Sequence, residues 1–157
     1  MVSLRSATAA DVPQILSYVQ GLADYENLSH ACFATEDSLR QTLFGSRSYA
    51  EVILAEFDGA PAGFALFFHN YSTFRAAPGI YLEDLYVLPE RRGLGVGKAL
   101  LKQLAKLAVE RGCARLEWSV LDWNAPAIDF YKSLGAQPQD EWTIFRVTGD
   151  ALTTLAK

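Results

Sequence analysis

The sequence has little of the material that metal sites, disulfide frameworks and membrane spans require. Its 157 residues include only two cysteines, Cys32 and Cys113, and two histidines, and their spacing matches no zinc site. The longest apolar stretches, such as 63–68, fall far short of the ~20 residues that a membrane-spanning helix needs. The N-terminus lacks a basic segment followed by an apolar run and a cleavage site. We therefore expect no metal, no membrane insertion and a cytoplasmic location.

Basic charge is also scarce, and this argues against a nucleic-acid partner. The chain has 14 Lys and Arg against 18 Asp and Glu, which gives a net charge of -4. Affinity for nucleic acid comes largely from basic patches that displace counterions from phosphates. A mildly negative surface would instead steer a small cation inward. Because 50% of the residues are apolar, the length fits one ordinary domain over residues 1–157.

The apolar periodicity predicts alternating helices and strands. Helices are expected after the N-caps Thr8 and Thr35, and Asp58-Gly59 between two apolar runs predicts a hairpin. The remaining predicted elements, in order, are a polar loop over 70–78, a central strand over 79–88, a helix that ends before Gly112, a parallel strand over 114–121, a helix from Asn124 to Leu134, and a final strand over 141–147.

The most informative stretch is the glycine-rich turn RRGLGVGK over 91–98, between the central strand and the next helix. Glycines let the backbone curl so that successive N–H groups point outward, and the helix dipole adds positive potential. Arg91, Arg92 and Lys98 supply positive side chains. The expected ligand is a diphosphate, and a glycine turn without any ligand is the alternative.

Two better-known phosphate motifs do not fit this turn. A Walker loop needs a serine or threonine after its lysine, whereas Ala99 follows Lys98. A dinucleotide fingerprint needs G-x-G-x-x-G after the first strand, whereas the spacing here is G-x-G-x-G, deep in the chain.

The pattern Arg92-x-x-Gly95-x-Gly97 after a strand matches the acetyl-CoA signature of the GNAT superfamily, which this chain resembles. The resemblance extends to a subgroup, the spermidine/spermine and thialysine N-acetyltransferases. It is carried by Tyr25-Glu26, Tyr71-Ser72-Thr73, YLEDLYV over 81–87, LDWN over 121–124, FYK over 130–132 and Gly135-Ala136. It implies an α/β GNAT fold: a mixed, twisted sheet of six to seven strands with about four helices, splayed between the central parallel strands.

The resemblance also assigns site residues. Glu83 would be the base, acting through water, and Tyr131 the acid that protonates the departing thiolate. Acetyl-CoA would be held by Leu85, Tyr86, Val87, Arg92, Gly93, Leu94, Gly95, Val96, Gly97, Lys98, Asn124 and Tyr131, with the backbone of Leu85 and Val87 pairing to the pantetheine amides. The amine would contact Tyr25, Glu26, Glu83, Asp84 and Trp142.

Each assignment has an ordinary structural alternative. Tyr131 could pack on the sheet, Asn124 could serve only as an N-cap, and Trp142 could be a packing residue. Regular alternation along a strand would turn Glu83 and Asp84 to opposite faces.

The function expected from the resemblance is transfer of acetyl from acetyl-CoA to a primary amine of a small molecule, by direct attack in a ternary complex. The residues of these motifs are compatible with a diamine, a polyamine or a thialysine-like amino acid as the substrate. Alternatives are a protein or peptide N-acetyltransferase and a non-catalytic acyl-CoA-binding domain. The resemblance further implies a homodimer.

Overall fold

Five β-strands form one sheet whose spatial order follows the chain. The computed structural model describes residues 1–157. The strands are β1 (Val2–Ser6), β2 (Glu51–Phe57), β3 (Ala60–Ser72), β4 (Ala77–Val87) and β5 (Leu116–Trp118). Neighbours from β1 to β4 pair antiparallel, whereas β4 and β5 pair parallel, as the sequence predicts.

Five α-helices accompany the sheet, and most begin near an N-cap that the sequence predicts. They are α1 (Val12–Tyr25), α2 (Glu36–Phe44), α3 (Val96–Glu110), α4 (Ala125–Ser133) and α5 (Gly149–Leu155). Before α1, the Asp11 carboxylate accepts the backbone N–H of Thr8 at 2.8 Å. At the start of α2, Thr35 Oγ1 accepts the N–H of Ser38 at 3.1 Å. None of these helices has the length and apolar character needed to cross a membrane.

The residues group into two compact units, Met1–Ser119 and Val120–Lys157. The first unit contains the whole sheet with α1, α2 and α3, and the second contains α4 and α5. The prediction of a single domain therefore stays a prediction.

The core of the first unit is built on two faces of the sheet. On one face Tyr18 of α1 stacks on Phe64 of β3, with ring centroids 5.4 Å apart. The same cluster contains Ile15, Leu43, Val52, Leu54 and Tyr86. On the other face the end of α3 covers Phe67, over whose ring the Arg111 guanidinium lies at 5.9 Å. Successive strand residues alternate between faces, and this explains why Phe64 and Phe67 are both buried against different helices.

The hairpin between β2 and β3 is tight, whereas four residues separate β3 from β4. Asp58 and Gly59 have φ angles of 50° and 81°, which is the left-handed pair that a two-residue hairpin requires, as predicted. The predicted polar loop over 70–78 is wrong in extent, because β3 continues to Ser72 and β4 begins at Ala77. Polar residues at 70–72 are tolerated in β3 since backbone pairing, such as Asn70 with Gly79, holds them in the strand.

The C-terminal part differs most from the prediction. Residues 141–147 form no strand, so the sheet has five strands rather than six or seven. Their alternating apolar pattern favours a strand, but a strand also needs a neighbour for its backbone hydrogen bonds. Instead Trp142 and Phe145 are 80% and 91% exposed. The predicted strand over 114–121 shrinks to Leu116–Trp118, and α5 was not predicted.

The sheet opens between its two parallel strands, as predicted. Pairing between β4 and β5 covers only Ile80 with Leu116, Tyr81 with Glu117, and Leu82 with Trp118. Strand β4 continues to Val87 while β5 has ended. Residues 83–87 therefore have no strand partner on that side, and their outward backbone groups line the opening.

Candidate active site

The glycine turn lies at the end of this opening and forms the start of α3. Gly93 and Gly95 have φ angles of 77° and 83°, and a Cβ added at either would meet no atom within 4 Å. These glycines are therefore required by backbone conformation rather than by crowding. Helix α3 begins at Val96, and the Ala99 N–H is the first to reach back, to the Gly95 carbonyl at 3.0 Å. The N–H groups of residues 96–98 have no acceptor inside the helix.

This arrangement fits a molecule that carries a diphosphate and an extended arm. Helix N-terminal amides at a turn of positive-φ glycines make a concave anion site. The turn and the unpaired end of β4 are contiguous, because a Cβ at Gly97 would touch Val87 Cγ2 at 3.8 Å. An amide-bearing arm could add to residues 83–87 as an extra strand, while the diphosphate meets the helix N-terminus.

One backbone group of this edge is already in use. The Arg92 Nε donates to the Val87 carbonyl at 3.0 Å. The Arg92 guanidinium also lies over the Tyr25 ring at 5.0 Å and the Tyr86 ring at 5.7 Å. The sequence predicts Arg92 only as a positive side chain of the turn and does not reveal its contacts with Val87, Tyr25 and Tyr86. No local signal could have shown it, since residues 25, 86 and 92 come from three separate elements.

Acidic side chains collect beside the opening. Glu26 follows the last residue of α1, and Asp84 lies in β4. Burial, followed by the negative charges of Glu83 and Glu26, raises the pKa of Asp84 to about 6. Burial also raises the pKa of Glu26. A partly buried carboxylate with other negative charges beside it is suited to bind a cation.

A β-bulge at Glu83 sets the directions of these carboxylates. Leu66 of β3 pairs with Asp84, but the next residue, Phe67, pairs with Leu82, so Glu83 is an extra residue in β4. Because Leu66 and Phe67 point to opposite faces, Leu82 and Asp84 do too. Asp84 lies on the α1 face, and Glu83 is exposed. The regular alternation assumed from the sequence is therefore interrupted at this position.

The second unit carries the other predicted site residues. Asn124 is 8% exposed, and its Oδ1 accepts the Ala127 N–H at 3.4 Å, so the predicted N-cap is confirmed. Tyr131 lies in α4, half-buried, with its ring 5.7 Å from that of Phe130. Trp142 lies outside any helix or strand.

The cysteines and histidines have local structural surroundings. His69 Nδ1 lies 3.0 Å from the Gly79 carbonyl, and its Nε2 lies 3.0 Å from an Arg111 nitrogen. Cys113 Sγ is 3.9 Å from His69 Nδ1. No three or more His, Cys, Asp or Glu side chains come together as a metal site would require.

An α/β sheet that opens beside a glycine turn and a helix N-terminus is suited to bind a ligand that carries a diphosphate. Residues 20–136 match the Acetyltransferase (GNAT) family, and the chain belongs to that family. It is an acyltransferase, and the predicted fold is confirmed.

Individual relatives cover nearly the whole chain. It is 40% identical to thialysine N-epsilon-acetyltransferase of Bos taurus, over 99% of this chain and 97% of the relative. It is 36% identical to L-ornithine N5-acetyltransferase NATA1 of Arabidopsis thaliana, over 98% of this chain and 87% of that protein. Among solved structures, an integron cassette protein from the mobile metagenome of V. cholerae superposes with a TM-score of 0.84 at 29% identity, covering 99% of this chain and 98% of the other.

Proposed function

We propose that this enzyme transfers acetyl from acetyl-CoA to the terminal amine of a small amino acid that resembles thialysine or ornithine. The observation that carries the proposal is the acidic pair Glu26 and Asp84 next to the unpaired end of β4. A carboxylate pair there would hold an ammonium group beside the position where the glycine turn directs the acyl carrier. The names of the relatives from Bos taurus and Arabidopsis thaliana support an amino acid with a side-chain amine.

Diamines and polyamines are the second candidate substrates. The half-buried Asp84, together with Glu26 and Glu83, offers more negative charge than one ammonium needs. A second cationic group on the substrate would use that charge. An amino acid also carries a carboxylate, which these acids would repel unless it lies away from them.

In the proposed reaction, acetyl-CoA supplies an activated thioester. Glu83 accepts a proton from the ammonium through water, and this suits its exposed position. The amine nitrogen then bonds to the acyl carbon, the carbon–sulfur bond breaks, and the nitrogen loses its second proton to water. Tyr131 gives its proton to the departing thiolate and regains one from water, an assignment supported by the family resemblance. Tyr25, Glu26 and Asp84 would line the amine pocket, and the substrate contact of Trp142 stays a prediction from the sequence.

The carrier would be held largely by backbone groups. Amides of residues 93–98 would bind the diphosphate, and backbone groups of Leu85 and Val87 would pair with the pantetheine arm. The carrier contact of Asn124 stays a prediction from the resemblance. The positive φ angles of Gly93 and Gly95 support the first of these assignments. A homodimer, a cytoplasmic location and the absence of nucleic-acid or membrane partners stay predictions from the sequence and the resemblance.

A thiol-release assay over ornithine, thialysine, lysine, diamines, polyamines and short peptides tests the proposal. We expect turnover with acetyl-CoA and an amino acid that bears a terminal amine. Preference for peptides would instead indicate a protein N-acetyltransferase. Acetyl-CoA binding in calorimetry without turnover of any amine would indicate a non-catalytic acyl-CoA-binding domain, and no binding at all would refute the carrier site.

Two variants test the catalytic roles. Glu83→Gln should lower kcat most at low pH, where little hydroxide is available to take the proton instead, and Glu90→Gln in the nearby turn is the matched control. Tyr131→Phe should lower kcat about 100-fold or more, whereas Tyr49→Phe, a change at a tyrosine that is 60% exposed, should not. An unaltered pH–rate profile would remove Glu83 from the base role, and unchanged turnover would remove Tyr131 from the acid role.

A further inference from the structure

The side chain of Arg92 contacts α1 and β4, although its backbone belongs to the glycine turn. Its Nε donates to the Val87 carbonyl at 3.0 Å, and its guanidinium lies over the rings of Tyr25 and Tyr86 at 5.0 and 5.7 Å. A planar guanidinium stacks on aromatic faces and donates in a fixed direction, which a lysine ammonium does not reproduce. Arg92 therefore joins the end of α1 to the end of β4.

Both rings that Arg92 contacts adjoin the acidic pair. Tyr25 is the last residue of α1 and is followed directly by Glu26. Tyr86 lies two residues beyond Asp84 in the same strand and on the same face, since Asp84 and Tyr86 pair with Leu66 and Phe64. A shift of Tyr25 would carry Glu26 with it and change its distance from Asp84.

We propose that the Arg92 side chain is a positioning residue for the amine substrate: it holds the end of α1 against β4, so that Glu26 and Asp84 bind the same cationic group. This role rests on the proposed function. The mobile positive charge for the diphosphate comes from Arg91 and Lys98 in the same turn. Arg92 contributes to carrier binding through its backbone.

The test compares KM for the amine with KM for acetyl-CoA. Arg92→Gln should raise the amine KM by about fivefold to tenfold, the effect of losing one or two cation–π contacts, and should leave the acetyl-CoA KM within about twofold. Arg91→Gln is the matched control, because it removes the same charge from the same turn. It should raise the acetyl-CoA KM and leave the amine KM unchanged.

Arg92→Lys separates positioning from charge. If the side chain acts by stacking and by its bond to Val87, lysine will fail to restore the amine KM, although it keeps the positive charge. A normal amine KM in Arg92→Lys would overturn the proposal. So would an Arg92→Gln variant in which only the acetyl-CoA KM rises.

A double-mutant cycle with Tyr25→Leu tests whether Arg92 affects amine binding through Tyr25. If Arg92 acts through Tyr25, the loss of amine kcat/KM in the double variant will be smaller than the sum of the two single losses, although Tyr25 also lines the proposed pocket. Additive losses would contradict the proposal. Should Arg92→Gln melt at a much lower temperature than the wild type, Arg92→Lys, which keeps the charge but not the stacked guanidinium, carries the test. If the wild-type enzyme acetylates no amine, the proposed function fails and this role with it. If it does acetylate one, the KM values for the amine and for acetyl-CoA test the role of Arg92 alone.

Discussion

Replacing Asp84 with asparagine should stabilise the protein, and increasingly so as the pH rises. Burial, followed by the charges of Glu83 and Glu26, raises the pKa of Asp84 from 3.8 to about 6 in the folded protein. The folded state therefore favours the protonated carboxyl, and the wild type loses stability as the pH rises from about 4 through about 6. Asparagine has no proton to lose and avoids this cost.

The size of the effect follows from the two pKa values. A change of one in pKa corresponds to about 1.4 kcal/mol, so the step from 3.8 to about 6 corresponds to about 3 kcal/mol. Because Asp84 is only half-buried, solvent screens part of this cost, and we expect about 2 kcal/mol. The difference in free energy of unfolding between Asp84→Asn and the wild type should be near zero at pH 4 and reach its full value by about pH 7.

Urea unfolding followed by circular dichroism, in buffers from about pH 4 to 8, measures this difference. Asp37→Asn is the control, because the Asp37 side chain is 92% exposed and its replacement should change stability by no more than about 0.5 kcal/mol at any pH. A difference that stays flat between pH 4 and 7, or a destabilised Asp84→Asn at pH 7, would refute the argument. The same variant should bind the amine more weakly, since the buried charge that costs stability is the charge that holds the substrate.

Two glycines provide further predictions. Gly95→Ala must adopt a φ of 83°, so it should cost about 1 kcal/mol of stability and also raise the acetyl-CoA KM, whereas the control Gly59→Ala, at a φ of 81° in the distant hairpin, should cost about the same and leave KM unchanged. Equal KM values for both variants would contradict the role of the turn. Gly63→Ala would place a Cβ 2.3 Å from the Tyr86 carbonyl oxygen, so thermal melting should show a loss of at least about 2 kcal/mol, and a wild-type melting temperature would contradict the close approach of β3 and β4.

The elements that the sequence predicts well are those with local signals at both ends. Helix α1 has Thr8 and Asp11 before it and one apolar face, and α2 has Thr35 before it and Gly45 after it. The glycine turn also belongs here, because its shape depends on consecutive residues. Such features require no knowledge of which strands are neighbours.

Features that depend on pairing were predicted less well. The segment 141–147 has the alternation of a strand, yet a strand forms only where a neighbour supplies hydrogen bonds. The polar residues at 70–72 resemble a loop, yet pairing with β4 extends β3 through them. The contact of Arg92 with Tyr25 and Tyr86 likewise arises only when α1, β4 and the turn meet.

The bulge at Glu83 gives two adjacent carboxylates different surroundings. Without it, residue 83 would pair with Leu66 and residue 84 with Ala65, and Asp84 would point to the α3 face, away from Glu26. With it, Asp84 turns to the α1 face and becomes half-buried, and Glu83 stays exposed at the open edge. An exposed carboxylate can exchange protons with water, and a half-buried one can hold a cation, so the proposed base and the proposed binding residue differ by position in the bulge rather than by side-chain type.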